Sequence, residues 1–334
     1  MVAAPARVER WTPVSASFTA GLAALLALLA FAPLVLGENS IDNLIQLYFL
    51  VILAIMWNAL AGYGGLVSVG QQAFIGIGAY GTVFLSVQHS LNPYLSMLLA
   101  TLIGGAVAIP VAAIVLWLRA GAFAIATWVV AEIFAILVSL DAALGGGTGT
   151  SAVLAFNLRY TPEQRLRYTY WAALAAAAAL LAILFLLLRS RLGASLQAIR
   201  DDEEAARSVG VRVLWGKGVV FVLAAVGCGA AGALWLASFP TFQPNSYFSV
   251  QWTAYMIFMV LVGGLGTFEG PIIGAIILFL LQTYVSNSGV WYFVTLGSIA
   301  IGVALLLPRG IWGTVQSRFG LQLLPVGYRL RREG

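Results

Sequence analysis

Long apolar runs, parted by short polar or glycine-rich joints, fill the chain from residue 17 to residue 307. The first is "SFTAGLAALLALLAFAPLVL" (17–36), and others follow at about 43–61, 72–88, 94–118, 122–140, 170–188, 217–239, 251–262, 271–285 and 291–307. A helix that is apolar on every side belongs in lipid, and a bilayer core of roughly 30 Å takes about 20 such residues. The pattern predicts an all-α, polytopic membrane protein of about ten transmembrane or partly spanning helices. The first run is longer than the roughly 7–15 apolar residues of a secretory signal, so it reads as a retained helix.

Two glycine-rich interruptions break this pattern. "AGYGGLVSVGQQAFIGIGAYG" (Ala61–Gly81) joins the second and third runs, and "VGGLGTFEGPIIGA" (Val262–Ala275) joins the eighth and ninth. Glycine and proline weaken helices, and freed backbone groups at membrane depth persist only where protein or water pairs with them. Short, broken segments at corresponding places in two halves point to a transport pathway. Gly64, Gly65, Ser68, Gln71 and Gln72 of the first interruption, with Gly263, Gly264, Gly266 and Thr267 of the second, are therefore expected near a translocation path. Close helix packing through small residues is the plainer reading, and both can hold together.

Composition supports the bilayer as solvent: of 334 residues, 61% are hydrophobic and only 9% charged, with 36 glycines and a net charge of +5. That excess is a loop effect rather than a nucleic-acid surface, since no basic face carries interleaved stacking aromatics. With both termini cytoplasmic, Arg7, Arg10, Arg119, Arg189, Arg191, Arg200, Arg207, Arg212, Lys217, Arg309, Arg318, Arg329, Arg331 and Arg332 fall inside. Arg159, Arg165 and Arg167 fall outside. The positive-inside rule favours this N-in, C-in arrangement. It gives a cytoplasmic tail over 1–16, a transmembrane domain over 17–308 and a basic cytoplasmic tail over 309–334. A cytoplasmic loop at 190–216 lies within the domain. Cys228 sits alone in an apolar run and His89 in a polar turn, so no disulfide, metal site or cofactor is expected.

The loop holds the densest charge in the chain, "RDDEEAARSVG" (Arg200–Gly210). "LGASLQAIRDDEEAARSVGVRV" (Leu192–Val213) reads as two short helices. Asp201 is the expected N-cap of the second, with Glu204 completing a capping box and Asp202 and Glu203 at the positive helix end. Gly210 supplies a left-handed stop. Ala205, Ala206 and Val209 would form a small apolar face, which a two-turn helix needs to pack against a partner.

"EAARSVG" (Glu204–Gly210) resembles the EAA-x3-G signature in the cytoplasmic loop of ABC-importer membrane subunits. Four further blocks, "GYGGLVSVGQQAFIGIGAY" (Gly62–Tyr80), "AGAFAIATWVVAEI" (Ala120–Ile133), "AAVGCGAAGAL" (Ala224–Leu234) and "GGLGTFEGPIIGAIIL" (Gly263–Leu278), resemble in order segments of LivM-type permeases. These are membrane subunits of branched-chain amino acid ABC importers. The signature's usual hydrophobic-Leu-Pro ending is absent here, and "GGGTGTSAV" (Gly145–Val153) replaces a "TGG…GI"-like element. The resemblance implies a LivH-type second membrane subunit, two cytoplasmic ABC ATPases, an extracytoplasmic binding protein and residence in the lipid of the inner membrane. It also implies that the charged stretch is the coupling helix that docks on an ATPase. Urea, short amides and aromatic acids are alternative substrates within that family. A self-sufficient carrier or channel is the alternative outside it.

No GxxxxGK[ST] is present to cradle a phosphate, and no nucleophile, base and acid set exists, so the chain is not expected to be an enzyme. Glu132, mid-run in "FAIATWVVAEIFAILV" (Phe123–Val138), costs at least about 2.5 kcal/mol in lipid if charged. It is expected to face the bundle interior, on the path or in a structural hydrogen bond, or else to be paired or uncharged. Glu269, in "GTFEGP", belongs to the second interruption near the cytoplasmic mouth.

The orientation is testable without any family argument. In a Cys228→Ala background, Ser208→Cys should react with an impermeant maleimide only from the cytoplasmic side, and Gln164→Cys only from outside. The reverse pattern overturns the charge-based orientation.

Overall fold

The computed structural model describes residues 6–9, 13–286, 289–319, 323–324 and 329–332. Arg10, one of the arginines that carry the orientation argument, lies outside them. Every apolar run is helical. The first crossing is α1 (Pro13–Ala30) with the turn α2 (Ala32–Val35), followed by α3 (Glu38–Asn58). Then come α4 (Gln72–Val83), α5 (Pro93–Val115) and α6 (Ala120–Ser139). A short α7 (Val153–Asn157) precedes α8 (Pro162–Arg189), which starts at a capping box between Thr161 and Gln164. The charged loop forms α9 (Arg191–Asp201) and α10 (Glu203–Ser208) and leads into α11 (Val213–Ser238). The last third comprises α12 (Pro244–Tyr247), α13 (Gln251–Gly263), α14 (Gly270–Val285), α15 (Val290–Leu306) and α16 (Gly310–Phe319).

Seven helical stretches among the described residues are long and apolar enough to cross a membrane: Glu38–Tyr63, Pro93–Val115, Ala120–Ser139, Pro162–Arg189, Val213–Ser238, Pro244–Gly263 and Val290–Phe319. The apolar parts of α1 and α14 are shorter. So is α4, even with the π-helical turn Phe84–Gln88 that extends it. About ten helical runs are thus present, and the short ones are those that adjoin the glycine-rich interruptions, plus the first.

At the centre stands α3, which ends in a π-helical turn, Ala59–Tyr63; every residue from Tyr48 to Gly64 is buried. A helix buried all round must read as apolar all round, which is why this run shows no periodicity. Against it pack α8, α11, α13 and α14. A very close crossing is α4 on α11, made possible by small residues on both. A Cβ added at Gly78 would sit 2.0 Å from the Gly229 carbonyl oxygen, and one at Gly232 2.0 Å from that of Ile75. Such backbone-to-backbone approach is what small-residue stripes allow between membrane helices.

Two small antiparallel ladders complete the chain. β2 (Thr150–Ser151) pairs with β3 (Thr241–Phe242), and β1 (Ala6–Glu9) pairs with β4 (Arg329–Arg332), so the two ends of the chain lie together.

The crossing gives a stability test. Gly232→Val drives a branched side chain into a carbonyl that helix α4 fixes in place, and should destabilise by about 3 kcal/mol or more. Gly121→Ala, at a helical position with nothing within 4 Å, should be neutral or gain up to about 1 kcal/mol. Thermal midpoints in detergent, read by fluorescence-detected size exclusion, would separate the two.

Candidate functional site

Both interruptions are real breaks, and they meet. The first leaves helical geometry at Gly64 and resumes at Gln72; the second runs from Gly264 to Glu269. Gly65 (φ +66°), Gly264 (φ +135°) and Gly266 (φ +75°) take left-handed conformations that only glycine holds without strain. The first break climbs back beside α3. Trp57 lies six residues, about 9 Å, before the end of the π turn at Tyr63, and its Nε1 donates to the Ser68 carbonyl at 2.9 Å. Helix α4 therefore begins inside the bundle.

Protein groups pair with the freed backbone. Leu66 N–H donates to Leu60 O, Val69 N–H to Thr127 Oγ1 and Gly270 N–H to Thr267 Oγ1. Asn58 ties the breaks to each other: its Oδ1 accepts from Gly266 N–H at 2.9 Å, and its Nδ2 donates to Thr267 O at 2.8 Å. Gly62 and Gly266 touch so closely that a Cβ on Gly62 would lie 2.6 Å from Gly266 N. Ser68, Gln71 and Gln72 are fully buried; Gln71 Nε2 donates to Ser68 Oγ, and Gln72 Oε1 accepts from Thr253 Oγ1. Gly64, Gly263 and Gly264 are buried, Gly266 and Thr267 half-buried, and Gly65 exposed.

The charged loop reaches this junction directly. Arg200, near the end of α9, donates through Nη1 to the Gly62 carbonyl at 2.8 Å, and that same Nη1 is the nearest atom to a Cβ placed on Gly266. Arg200 also bonds Asp201 Oδ1 through Nε and Nη2 at 3.2 and 3.1 Å.

The loop helices differ from the expectation in two respects. The N-cap of α10 is Asp202, not Asp201, since α9 runs on through Asp201; Asp202 Oδ1 accepts from Glu204 N–H and Ala205 N–H. The expected apolar face is also divided. Ala206 turns inward onto Ile199 and Val213, whereas Ala205 and Val209 are exposed. The physical reason is that a two-turn helix must first cover its own apolar side chain against α9 and α11. Glu203 is likewise turned inward, hydrogen-bonded to Lys217 and to Arg207, and the Lys217 ammonium holds its carboxyl below the usual carboxylate range. Glu204 pairs with Arg119 at 3.3 Å on the exposed side. Gly210 does take the left-handed stop, at φ +87°.

Glu132 is the clearest departure. It is exposed on the outer face of α6, where Oε1 accepts from Trp128 Nε1 at 3.0 Å, and does not face the bundle. The break sets this rotation: Thr127 Oγ1 serves Val69, and Gly70 approaches Thr127 O so closely that a Cβ would lie 2.0 Å away. With Phe123, Thr127 and Ala131 turned inward, Glu132 is carried outward. Glu269 is partly buried, accepting from Trp312 Nε1 at 3.1 Å and Leu324 N–H at 2.8 Å; burial pushes its carboxyl above the ordinary range. It fastens the chain after α16 to the second break.

Two cavities lie at opposite ends. One of about 630 Å³ adjoins the second break, lined by Leu265, Thr267, Arg309 and Gln316 among others. Another, of about 650 Å³, lies at the end away from the α9–α10 loop, between α3, α11, α13, α14 and α15. Its lining includes Gln46, Trp235, Trp252, Tyr255, Gln282 and Tyr292, with no charged side chain. Among the described residues no cluster of His, Cys, Asp and Glu could hold a metal ion.

Sequence reasoning missed Asn58 and gave Arg200 no role of its own. A signal for Asn58 existed: it is the one side chain with hydrogen-bonding capacity on both sides, donor and acceptor, in the last turn before "ALAGYGG". No sequence signal placed the neutral cavity.

Apolar crossings, paired broken helices and a charged loop bonded to them define a membrane-embedded permease. Comparison with known proteins agrees. The chain belongs to the family described as the permease component of the branched-chain amino acid transport system, which matches residues 39–307. Among similar proteins are the high-affinity branched-chain amino acid transport system permease proteins LivM of Salmonella typhimurium and Escherichia coli K12. Each is 27% identical over 314 residues, covering 87% of this chain and 74% of the relative. No solved structure matches.

Asn58→Leu removes the amide that pairs two backbone groups of the second break. With each unpaired buried group costing about 1–3 kcal/mol, the loss should total roughly 2–6 kcal/mol. A lowered thermal midpoint should follow, largest for Asn58→Leu and smaller for Asn58→Gln. An unchanged midpoint for the leucine variant would mean that the two breaks do not depend on this bridge.

Proposed function

We propose that this chain is the membrane-spanning permease subunit of an ABC importer for branched-chain or related hydrophobic amino acids. Its partners are a LivH-type second permease subunit, two cytoplasmic ABC ATPases and an extracytoplasmic binding protein. In this reading it sits in the inner membrane with both termini and the α9–α10 loop cytoplasmic, and it carries no catalytic group of its own. Residues 190–216 couple to the ATPase through the end of α9 and the exposed side of α10, where Asp201, Asp202, Glu204, Ala205 and Val209 are presented. Ala206, Glu203 and Gly210 shape that helix from behind.

One observation carries the reading. The Arg200 guanidinium of the loop is bonded to the backbone of one break, which Asn58 joins to the other. A push on the loop is thereby transmitted to the two places where the helices are discontinuous, and discontinuous helices are where transporters form their substrate sites. The substrate class draws support from the relatives' printed names and from the neutral cavity at the far end. Aromatic rings there suit an aliphatic side chain, and amide and hydroxyl groups suit the two ends of a zwitterion without a fixed charge. In this scheme the residues of both breaks line the route below that cavity.

Vesicles holding the purified transporter, with binding protein and substrate, test the coupling. Arg200→Ala should leave membrane insertion and ATPase association intact. Substrate moved per ATP hydrolysed should fall by about tenfold, the worth of one charge-assisted hydrogen bond. Ala205→Glu, on the exposed side of α10, should instead lower ATPase association itself. If both variants transport at wild-type rates, the coupling assignment is wrong.

A further inference from the structure

Glu132 has no role in the scheme so far, yet its position is the least comfortable of any carboxylate in the chain. It lies twelve residues, about 18 Å, along a helix of about 30 Å, close to the middle of the bilayer. The side chains around it on the same face, Ile125, Val129, Ile133 and Ile136, are apolar and exposed. Trp128 Nε1, one turn back on the same helix, is the hydrogen-bond donor it has among the described residues. A carboxylate offers about four acceptor positions, so one indole leaves most of them open. No described cavity reaches it to supply water. Ionisable groups within the bilayer face protein or a wet cavity because lipid offers them nothing, and among the described residues Glu132 meets only the Trp128 indole.

We infer that the Glu132 face of α6 is covered, in the working transporter, by a second polytopic membrane subunit of different sequence that presents a hydrogen-bond donor to the carboxylate. This rests on the permease reading above and adds to it where the partner sits and which group it must bring. A second copy of the same chain fits poorly. Across a two-fold axis α6 would offer its own Glu132 and a Trp128 whose single N–H is already given to the Glu132 of its own helix, and the nearest cation on that element, Arg119, lies at its far end. Lipid headgroups are ruled out by depth. The apolar rim around the carboxylate then becomes the dry surround of a central polar contact, an arrangement common at the best-packed points of interfaces. The rotation of α6 is not free to relieve the problem, because Thr127 is committed to the first break.

The experiment places p-benzoylphenylalanine at Val129 in the intact transporter and irradiates membranes that carry out ATP-driven uptake. The expected product is a cross-link to a polytopic membrane chain of different sequence, identified by mass spectrometry, with a Lys, Arg, Asn, Gln or Trp at the same depth. Glu132→Leu should cut that yield and the co-purification of the partner by at least about tenfold, whereas Glu132→Gln should keep much of both. Expressed without partners, the Glu132→Leu chain should insert and survive detergent at least as well as the wild type, because leucine suits the bare face. That reversal of sign separates an interface from a folding defect. Cross-linking to lipid alone or to a second copy, an undiminished yield with leucine, or an unstable leucine variant in the isolated chain would each overturn the inference. Uptake by the wild-type vesicles reports on the permease reading independently: active transport without the cross-link defeats only the interface.

Discussion

Inside a bilayer a peptide N–H or C=O has no water to turn to, and the whole arrangement described above follows from where two helices nevertheless stop. α3 ends at Tyr63 and α13 at Gly263, each leaving backbone groups to be paired by whatever lies near. The cheapest source is each other. Bringing two irregular segments into contact requires glycine where they touch, at Gly62 and Gly266, left-handed turns at Gly65 and Gly264, and a side chain with both donor and acceptor, which Asn58 supplies. Thr127 is recruited for Val69, and that fixes the rotation of α6. Residues far apart in the chain thus owe their identities to one shared requirement for pairing.

The loop between α8 and α11 enters the same network. A guanidinium reaching the Gly62 carbonyl makes a charge-assisted bond worth about 1.5–3 kcal/mol, enough to bias a two-state element though not to lock it. Most of the loop's remaining charge is spent within the chain, in pairs with Lys217, Arg207 and Arg119. The exposed side of the loop carries Asp201 at the end of α9, the capping Asp202, and Glu204, Ala205, Arg207, Ser208 and Val209 of α10 and its end.

Much of this was legible in the sequence. Continuous hydrophobicity located the helices, because lipid-length runs need no periodicity to be recognised. Glycine density located both breaks, and the Asp-rich stretch and Gly210 located the two loop helices. Helix rotation was not legible. Nothing in "FAIATWVVAEIFAILV" shows that Thr127 rather than Glu132 would be claimed by the bundle, since the claim is made by Val69, nearly sixty residues earlier. The shift of the cap from Asp201 to Asp202 has a similar origin. Arg200 bonds Asp201 while it reaches Gly62, and the helix holds on for one residue more. Asn58 stood at the end of an apolar helix as a lone polar residue, and only its partner segment, some two hundred positions away, gave it meaning.

The crossing of α4 and α11 sets a mechanical boundary on all this. Where backbones touch at Gly78, Gly229 and Gly232 with no side chain between them, neither helix can slide past the other without carbonyl oxygens colliding. The pair is therefore held in one register. Backbones meet as closely between α13 and α14, at Gly274 and Met259, so the breaks join two pairs of helices that are each locked in register.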